Sequence, residues 1–285
     1  MTMPAARADQ ASAVQTQAER ARVFRALHEG PGPLLLPNPW DAGSARLLAS
    51  LGFAALATTS GGFAATLGRL DGAVTRDEAL GHAAVIAAAT SLPVSADLEN
   101  AFADEPAGVA ETIGLAAAAG LAGCSVEDFT RRPDEPIYDL GLARERVAAA
   151  ADAARAAPGP LVLTARAENY LHGRPDLAGT IRRLQAYQEA GADALYAPGL
   201  TSLDDIRTVV SEVDRPVNVL ALPGAPAIPD LAAAGVRRVS VGSAFAYAAL
   251  GAAVQAAKEL RDQGSYGFWA LAAEGRAAVQ DAFPG

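Results

Sequence analysis

One local pattern recurs along the chain and constrains its fold more than any other feature. An alanine-rich, helix-like segment ends in glycine, and a short run of strand-forming residues follows almost at once. Glycine just past a helix adopts the left-handed conformation without strain, so these glycines are predicted to mark helix C-termini. The repeats are SLG-FAALATTS, AAG-LAGCSVED, EAG-ADALYAPG and AAG-VRRVSVGS, with the glycines at Gly52, Gly120, Gly191 and Gly235.

Further strands are predicted between these repeats. Short apolar runs bounded by proline or polar residues lie at 34–37, 92–99, 160–166 and 215–221. With the four repeats they make eight strands, each followed by a helical stretch of about 10–15 residues. Near-continuous apolar strands are typical of a parallel sheet covered on both faces. Eight such units without a second domain's worth of sequence favour a closed (β/α)8 TIM barrel over an open doubly wound sheet.

The whole chain, residues 1–285, is predicted to form a single barrel domain. Within it we expect an N-terminal helix at 12–30, the barrel at 34–262 and a terminal helix at 266–283. Residues 1–11 are expected to be disordered. No linker-like stretch separates two domains.

Composition excludes several classes of protein. Hydrophobic residues make up 51% of the chain and charged residues 19%, which supports a large core and argues against disorder. The net charge of −9 argues against nucleic acid and anionic membranes as partners. A single cysteine allows no intrachain disulfide and fits a reducing compartment. Without a secretory signal or a run of about 18 apolar residues, we expect a cytoplasmic protein.

Carboxylates gather at the predicted ends of neighbouring strands, where barrel enzymes place their catalytic groups. Asp97 and Glu99 are two residues apart after strand three, and Glu127 ends strand four. Oxygen ligands without a nearby histidine or cysteine suit Mg²⁺, with Mn²⁺ as an alternative. From spacing alone, the competing interpretation is solvated carboxylates paired with arginine or lysine.

Two further features near these strand ends fit binding of an anion. Arg166 ends strand five and is either a bidentate clamp on a substrate carboxylate or an ion-pair partner of Glu127 or Glu168. The SGG segment at 60–62 predicts a turn whose N–H groups could hold a carboxylate or an oxyanion. Such a segment alone is weak evidence, since most are only turns.

The cysteine and the histidines carry less information. Cys124 falls on the opposite face of its strand from Glu127, so we predict a buried and unreactive thiol. His172 follows strand five and could act as an acid or base, although loop histidines more often have no catalytic role. His28 and His82 fall on predicted helices and carry no functional prediction.

Taken in order, these motifs resemble the isocitrate lyase/phosphoenolpyruvate mutase superfamily. The resemblance covers roughly Leu34 to Ala257 and runs through PNPWDAGSARLLASLGF, TTSGGFAATLGRLDG, LPVSADLENAF, GCSVEDF, LTARAEN and RPVNVLALPG. It implies a (β/α)8 barrel with Mg²⁺ at its mouth. It also implies a homodimer or homotetramer in which the terminal helix packs on a neighbouring subunit.

The resemblance further implies roles for individual residues. Asp97 would contact the metal directly, Glu99 and Glu127 would hold its waters, and Asp71 would contribute from the loop after the second strand. The chemistry shared by the family is stabilisation of an enolate while a bond to the adjacent carbon breaks. A small carboxylate substrate would be bound by Ser60, Gly61, Gly62, Arg166 and Asn218.

The segment after strand four departs from the family pattern. It reads DFTRRPDEPIYD, without the Cys- and His-containing motif that gives the family's lyases their general acid, and without the Lys and Asn of the phosphonomutases. On strand six Pro198 stands where those lyases have a glutamate. Strict isocitrate lyase or phosphoenolpyruvate mutase activity is therefore not expected. The candidates for the replaced half, of which the tyrosine and the histidine could move protons, are Arg131, Arg132, Asp134, Tyr138, His172 and Arg174.

We therefore expect a Mg²⁺-dependent enzyme that cleaves a C–C bond adjacent to a 2-oxo or hydroxy carboxylate through an enolate-like intermediate. A lyase, a decarboxylase and an acyl hydrolase all fit this description. One alternative is P–C bond chemistry on a phosphonopyruvate-like substrate, which Thr130 and its neighbouring arginines match only loosely. Another is a non-catalytic protein that binds 2-oxo acids. Turnover with and without Mg²⁺ would separate the last possibility from the first.

Overall fold

A computed structural model describes residues 16–283 of the chain, in which strands and helices alternate. Every strand lies within a stretch that the sequence predicts. The strands are β1 (Leu34–Leu36), β2 (Leu56–Ala57), β3 (Val94–Asp97), β4 (Gly123–Glu127), β5 (Val162–Arg166), β6 (Ala194–Tyr196), β7 (Val217–Leu220) and β8 (Arg238–Ser240).

The helices begin mostly at Ser, Thr or Asp residues whose side chains accept a hydrogen bond from the first turn. None of them is both long and apolar enough to cross a membrane within the described residues. They are α1 (Gln17–Leu27), α2 (Ala42–Ser50), α3 (Ser60–Thr66), α4 (Arg76–Ala89), α5 (Pro106–Ala118), α6 (Leu140–Ala156), α7 (Leu177–Glu189), α8 (Leu203–Ser211), α9 (Ile228–Ala233), α10 (Ala244–Gln263) and α11 (Trp269–Ala282).

The four glycines of the sequence repeat do end helices in the left-handed region. Their φ angles are +86° at Gly52, +82° at Gly120, +107° at Gly191 and +85° at Gly235. A side chain there would meet the steric penalty that glycine lacks. This conformation lets the chain turn at once from each helix into the next strand.

The strands form one parallel sheet in the order β1-β8-β7-β6-β5-β4-β3-β2. Its two edges meet where the Ala57 N–H donates to the Pro37 carbonyl across 3.1 Å. The sheet is thus nearly closed, and the predicted (β/α)8 barrel with extra terminal helices is confirmed.

Alternate residues on each strand face the helices or the barrel interior. The outward residues are apolar and pack against the helices in one large core. The interior is polar over much of its height, whereas such barrels are more often filled by branched aliphatic side chains. Its buried polar residues include Ser95, Ser125, Thr164, Asn218, Arg238 and Ser240.

The end of the barrel opposite the site is filled by α1. Its Phe24 is fully buried in a cluster with Leu34, Leu36 and Val162. A Cβ on Gly123 would lie 2.7 Å from a carbon of the Phe24 ring, so the glycine makes room for the ring.

The segments predicted outside the barrel fall partly beyond the described residues. Of the helix predicted at 12–30, residues 17–27 are helical, and residues 12–15 lie outside the described part. The disorder predicted for residues 1–11 lies outside it as well. Within the range predicted for the terminal helix, α11 covers Trp269–Ala282 and contacts α2.

Candidate active site at the barrel mouth

Parallel strand register brings the predicted site residues to one end of the barrel. Asp97 pairs with Ser125, and Glu127 pairs with Arg166, at the carboxyl ends of β3, β4 and β5. Two adjoining cavities open here, with volumes of about 180 Å³ and 300 Å³. Both are lined by Ser60, Asp71, Arg166 and Leu171. The 180 Å³ cavity, which reaches down to Arg238 and Ser240 inside the barrel, is called the deep cavity. The 300 Å³ cavity, which includes Glu99 and Glu127, is called the shallow cavity.

Arg166 is the centre of the charge network. Its Nε lies 2.8 Å from Glu168, Nη1 lies 2.9 Å from Asp97 and Nη2 lies 3.2 Å from Glu127. The guanidinium also stacks over the Tyr196 ring, 5.2 Å from its centroid. The ion-pair interpretation of Arg166 thus describes this structure, because all three nitrogens contact protein carboxylates.

Glu99 is the second charge centre at the mouth. It is buried, accepts from Arg131 and adopts a positive φ of 50°. A non-glycine residue in the left-handed region is strained, and such residues concentrate at functional sites. Burial, reinforced by the charge of Asp97, raises the pKa of Glu99 to about 7. The single arginine therefore does not fully compensate the loss of water around this carboxylate.

The other two buried carboxylates show the same deficit of positive charge. Burial raises the pKa of Glu127 well above its usual range, opposed by the Arg166 guanidinium and reinforced by Glu168. Burial likewise raises the pKa of Glu168 against the attraction of Arg166. The main chain of Glu168 is fixed by its N–H, which donates to Asp128 over 2.8 Å.

Asp71 reaches the mouth from the loop after α3. Its side chain lines both cavities and accepts from the Gly72 N–H at 3.1 Å. The structure therefore brings the four predicted metal-site residues to the same concave region: Asp71, Asp97, Glu99 and Glu127.

These carboxylates do not form a ready-made metal site. Among residues 16–283, no group of three or more His, Cys, Asp or Glu side chains has the arrangement needed to hold a metal ion. Arg131 and Arg166 instead occupy their oxygens. The donor chemistry nevertheless suits Mg²⁺, because the donors are hard oxygens and because burial raises the pKa of two of them, Glu99 and Glu127, in spite of the neighbouring arginines.

The SGG segment is the start of α3 rather than a free turn. Thr59 caps the helix, accepting from the Gly62 N–H at 3.3 Å, and the Ser60 N–H donates to Asp97 at 3.3 Å. This cap was not predicted from the sequence, because α3 is only seven residues long. A Cβ on Gly61 would lie 2.7 Å from the Ser243 hydroxyl oxygen, so close packing requires glycine there.

Asn218 lies beneath the site rather than in it. Its side chain is 1% exposed, donates to the Ser240 hydroxyl at 3.0 Å and accepts from the Arg238 Nε at 3.0 Å. It lines neither of the two cavities at the mouth. Its observed contacts orient Arg238 and Ser240, both of which line the deep cavity.

The segment between β4 and α6 contributes one arginine to the site. Arg131 lines the shallow cavity, whereas Arg132 and the buried Tyr138 both contact Asp104 outside it. Burial, together with the bond to Asp104, raises the pKa of Tyr138 to about 12.

The Thr130 hydroxyl donates to a carbonyl within the same segment. The Arg174 Nη2 donates to the main-chain carbonyl of Asp134 at 3.4 Å, and neither residue lines either cavity.

His172 does lie at the mouth. It lines the shallow cavity, stacks on Phe129 with 3.7 Å between ring centroids, and its Nε2 is 3.9 Å from Glu168. Burial and the charge of Arg166 lower its pKa, so the ring is neutral near pH 7. A neutral ring beside a carboxylate can pass a proton without first taking up a charge.

Cys124 lies on the outer face of its strand. It is fully buried in the core between sheet and helices, and burial raises the pKa of its thiol to about 12. The alternation of side chains along the strand therefore predicted correctly that Cys124 is buried on the face opposite Glu127. No thiolate is available there near neutral pH.

Several residues that line the deep cavity were not singled out from the sequence. Arg238 and Ser240 alternate with apolar residues on β8, a pattern that places them on the interior face. A charged residue within an apolar strand was the signal that could have identified them. Tyr196, beneath Arg166, shows no such signal because tyrosine is common in strands.

The chain is similar to several proteins of known sequence or structure. The Phosphoenolpyruvate phosphomutase family matches residues 24–261. A candidate lyase/mutase from Burkholderia cenocepacia J2315 shares 56% sequence identity and superposes with a TM-score of 0.90, covering 93% of this chain and 96% of that one. An oxaloacetate decarboxylase from Chromohalobacter salexigens is 31% identical over 88% of each chain. A 2-methylisocitrate lyase from Halalkalibacterium halodurans is 30% identical over 71% of this chain and 68% of its own.

The match with the family extends from α1 to the last turn of α10, and so includes every strand and every carboxylate of the mouth. Two of these relatives, the decarboxylase and the 2-methylisocitrate lyase, are enzymes that cleave carbon–carbon bonds. The chain belongs to the phosphoenolpyruvate phosphomutase family of the isocitrate lyase/phosphoenolpyruvate mutase superfamily, a superfamily of lyases built on this barrel.

Proposed function

We propose that this protein is a Mg²⁺-dependent enzyme that cleaves a C–C bond adjacent to a 2-oxo or hydroxy carboxylate through an enolate-like intermediate. Among such reactions, decarboxylation of a 2-oxo dicarboxylate such as oxaloacetate is the one we favour. The observation that carries the proposal is the mouth itself, where four carboxylates, Arg166 and the start of α3 surround two adjoining cavities.

The metal would be held by Asp97, with Glu99, Glu127 and Asp71 holding its waters. A divalent cation supplies positive charge where negative charge develops on a carbonyl oxygen. The arginines now paired with these carboxylates would then exchange partners. Arg166 in particular would become able to clamp a substrate carboxylate.

The substrate's oxo or carboxylate end would lie against Ser60, Gly61 and Gly62. Gly61 packs closely against the Ser243 hydroxyl, and this contact leaves the first turn of α3 little freedom to move. The Gly62 N–H is bonded to Thr59, so the donors to the substrate would be the Gly61 N–H and the Ser60 N–H, the latter after it is released from Asp97.

Decarboxylation is favoured by the residues between β4 and α6. Aldol-type or hydrolytic cleavage needs a base, for the hydroxyl group or for water, as well as an acid for the carbanion. Loss of CO₂ needs only the proton that the resulting enolate takes up. The only chemistry this segment brings to the cavities comes from Arg131 and Phe129, because the Tyr138 hydroxyl is buried against Asp104. The segment thus adds no second proton-transfer group to the site, and this favours a reaction that needs only one.

In oxaloacetate the C3–C4 bond would break, its electron pair would form the enolate of pyruvate, and C4 would leave as CO₂. A proton must then reach C3. His172 is our proposed catalytic residue for this step, because it lines the cavity next to Glu168. Its neutral ring would give a proton to C3 from one nitrogen while taking one from the Glu168 carboxyl group or from water at the other. For Tyr138 we propose instead that it holds the β4–α6 segment in place through Asp104.

The relatives support this choice without deciding it. The oxaloacetate decarboxylase matches over 88% of both chains, more than the 71% of this chain that the 2-methylisocitrate lyase covers. A hydrolase or a lyase that releases two acids belongs to the same general chemistry. Arg131 and Thr130 give P–C bond chemistry no additional support, since both contact other protein groups.

The test is a panel of oxaloacetate, 2-methylisocitrate, isocitrate, other substituted malates and phosphonopyruvate. Release of pyruvate, glyoxylate, CO₂ and phosphate would be measured with Mg²⁺ and with EDTA. We expect pyruvate and CO₂ in equal amounts from oxaloacetate, and only with the metal. Pyruvate and phosphate from phosphonopyruvate would favour P–C chemistry, while metal-dependent binding of 2-oxo acids without any turnover would favour a binding protein.

A further inference from the structure

A second arginine lies deep in the barrel, below Arg166, and is distinguished by what surrounds it. Arg238 is 4% exposed and lines the deep cavity. Its Nε donates to Asn218 at 3.0 Å and its Nη1 donates to Thr164 at 2.8 Å. Within residues 16–283, no carboxylate lies within ion-pair distance of it and no protein acceptor is bonded to its Nη2.

This situation is unfavourable for a charged group. A buried cation without a counter-charge loses its hydration and recovers little in return, so buried charges are nearly always paired. Burial accordingly lowers the pKa of Arg238 to about 10. Arg166 nearby has three carboxylate partners, and the buried Arg146 donates to three main-chain carbonyls.

The cavity beside Arg238 also holds hydroxyl groups that have no partner. Ser95 is 2% exposed and Ser125 is 7% exposed, and both line this cavity. Among the hydrogen bonds of the described residues, none involves either hydroxyl. An arginine and two free hydroxyl donors around a cavity of about 180 Å³ form a binding site for a small anion. We call this site the Arg238 chamber, defined by Ser95, Ser125 and Arg238.

We infer that the Arg238 chamber binds a carboxylate of the substrate, and that this is the carboxylate that remains on the product. The inference rests on the proposed function and deepens it by assigning the orientation of the substrate. The retained carboxylate lies between Arg166 and Arg238, both of which line the deep cavity.

The assignment to the retained group follows from the energetics of the reaction. An arginine that held the departing carboxylate would stabilise the ground state and slow the loss of CO₂. With the retained carboxylate in the chamber, the departing group faces the open mouth, from which CO₂ can escape. Arg238 is thus a binding residue that determines which end of the acid enters first.

The test measures binding of oxalate and of pyruvate, in the presence of Mg²⁺, by calorimetry on the whole protein. Arg238→Met should raise both dissociation constants at least tenfold, and Arg238→Lys should raise them less. The double variant Ser95→Ala/Ser125→Ala, which leaves every charge in place, should also weaken both. Arg146→Met is the matched control, because it removes an equally buried arginine outside the cavity, and should leave both constants unchanged.

Unchanged binding to Arg238→Met, or no binding of either anion to the wild-type protein, would overturn the inference. So would an Arg238→Met enzyme whose KM for oxaloacetate rises while product inhibition by pyruvate is unaltered, because Arg238 would then hold the departing group. Circular dichroism and thermal unfolding identify a variant that fails to fold. Since anion binding needs no turnover, a wild-type protein that binds oxalate but decarboxylates nothing would contradict the proposed function alone.

Discussion

The carboxylates at the barrel mouth outnumber the arginines beside them. Asp71, Asp97, Glu99, Glu127 and Glu168 meet there, and the cations beside them are Arg131 and Arg166. Burial raises the pKa of three of these carboxylates, Glu99, Glu127 and Glu168, and the excess of negative charge adds to that rise. The excess also explains why the same residues suit a divalent cation and still make ion pairs in this structure.

The first prediction concerns proton transfer. His172→Gln should lower kcat for oxaloacetate by about 10²-fold if the ring delivers the proton to C3. Tyr138→Phe is the comparison, and should change kcat less than twofold because that hydroxyl contacts Asp104 outside the cavities. Steady-state rates of pyruvate release measure both. A large loss in Tyr138→Phe with none in His172→Gln would reverse the two roles.

The second prediction concerns His28 and acid stability. Burial, with the charge of Arg238, lowers its pKa from 6.5 to about 4, and its buried Nε2 has no hydrogen-bond partner. Below pH 6.5 the unfolded chain therefore binds a proton that the folded chain excludes, so stability is present above 6.5 and is lost as the pH falls towards 4. At about 1.4 kcal/mol per pH unit, the loss approaches 3 kcal/mol.

Denaturant unfolding of the wild type and of His28→Gln between pH 7 and pH 4 measures this contribution. The variant should lose less stability over that interval, because its residue at 28 takes up no proton. Parallel pH dependence of the two proteins would show that His28 is not the source.

Individual site residues were predictable where the strand pattern placed them. Asp97, Glu127 and Arg166 end their strands, so parity and register bring them together. Glu99 and Arg131 depend on positive φ angles of 50° and 64°, for which no glycine gave a signal. The neutral partners of Arg238 are side chains from two other strands, Asn218 on β7 and Thr164 on β5, and local sequence carries no information on such contacts.

Among the elements, α1 has a structural role that its sequence does not suggest. It closes the barrel end opposite the site, with Phe24 packed against β1, β5 and Gly123. The eight strands were predictable because glycine and proline punctuate each β–α unit. The position of α1 was not, since an amphipathic helix before a barrel could pack on any face.

The third prediction follows from that packing. Phe24→Ala should lower the free energy of unfolding by about 3–5 kcal/mol, because it leaves a cavity that the barrel cannot collapse to fill. Val23→Ala, on the same helix but 40% exposed, is the control and should cost far less. Denaturant unfolding at constant pH measures the two. Equal effects would mean that α1 is loosely attached.

For the whole molecule, the last two helices raise the question of assembly. No residue of α11 is buried, and both helices expose large apolar side chains, among them Tyr247, Leu250, Val254, Trp269 and Leu271. Several such residues on adjoining helices mark an association surface more often than a solvated one.

The fourth prediction is therefore a homodimer or homotetramer. Light scattering on the eluting protein should give twice or four times the chain mass of 28.9 kDa. Leu250→Asp combined with Val254→Asp should lower it, while Val85→Asp, at an equally exposed site on α4, should not. A wild-type monomer would contradict the prediction.

The proposed reaction depends on a metal at the barrel mouth, and replacement of Asp97 is the most exacting test of that dependence. Pyruvate release from oxaloacetate should require Mg²⁺, stop with EDTA and fall at least 10³-fold in Asp97→Ala, since the proposed direct ligand is lost. Asp152→Ala, an exposed aspartate on α6, should match the wild type. Turnover that survives in Asp97→Ala, or that EDTA does not change, would contradict a metal-dependent reaction at this site.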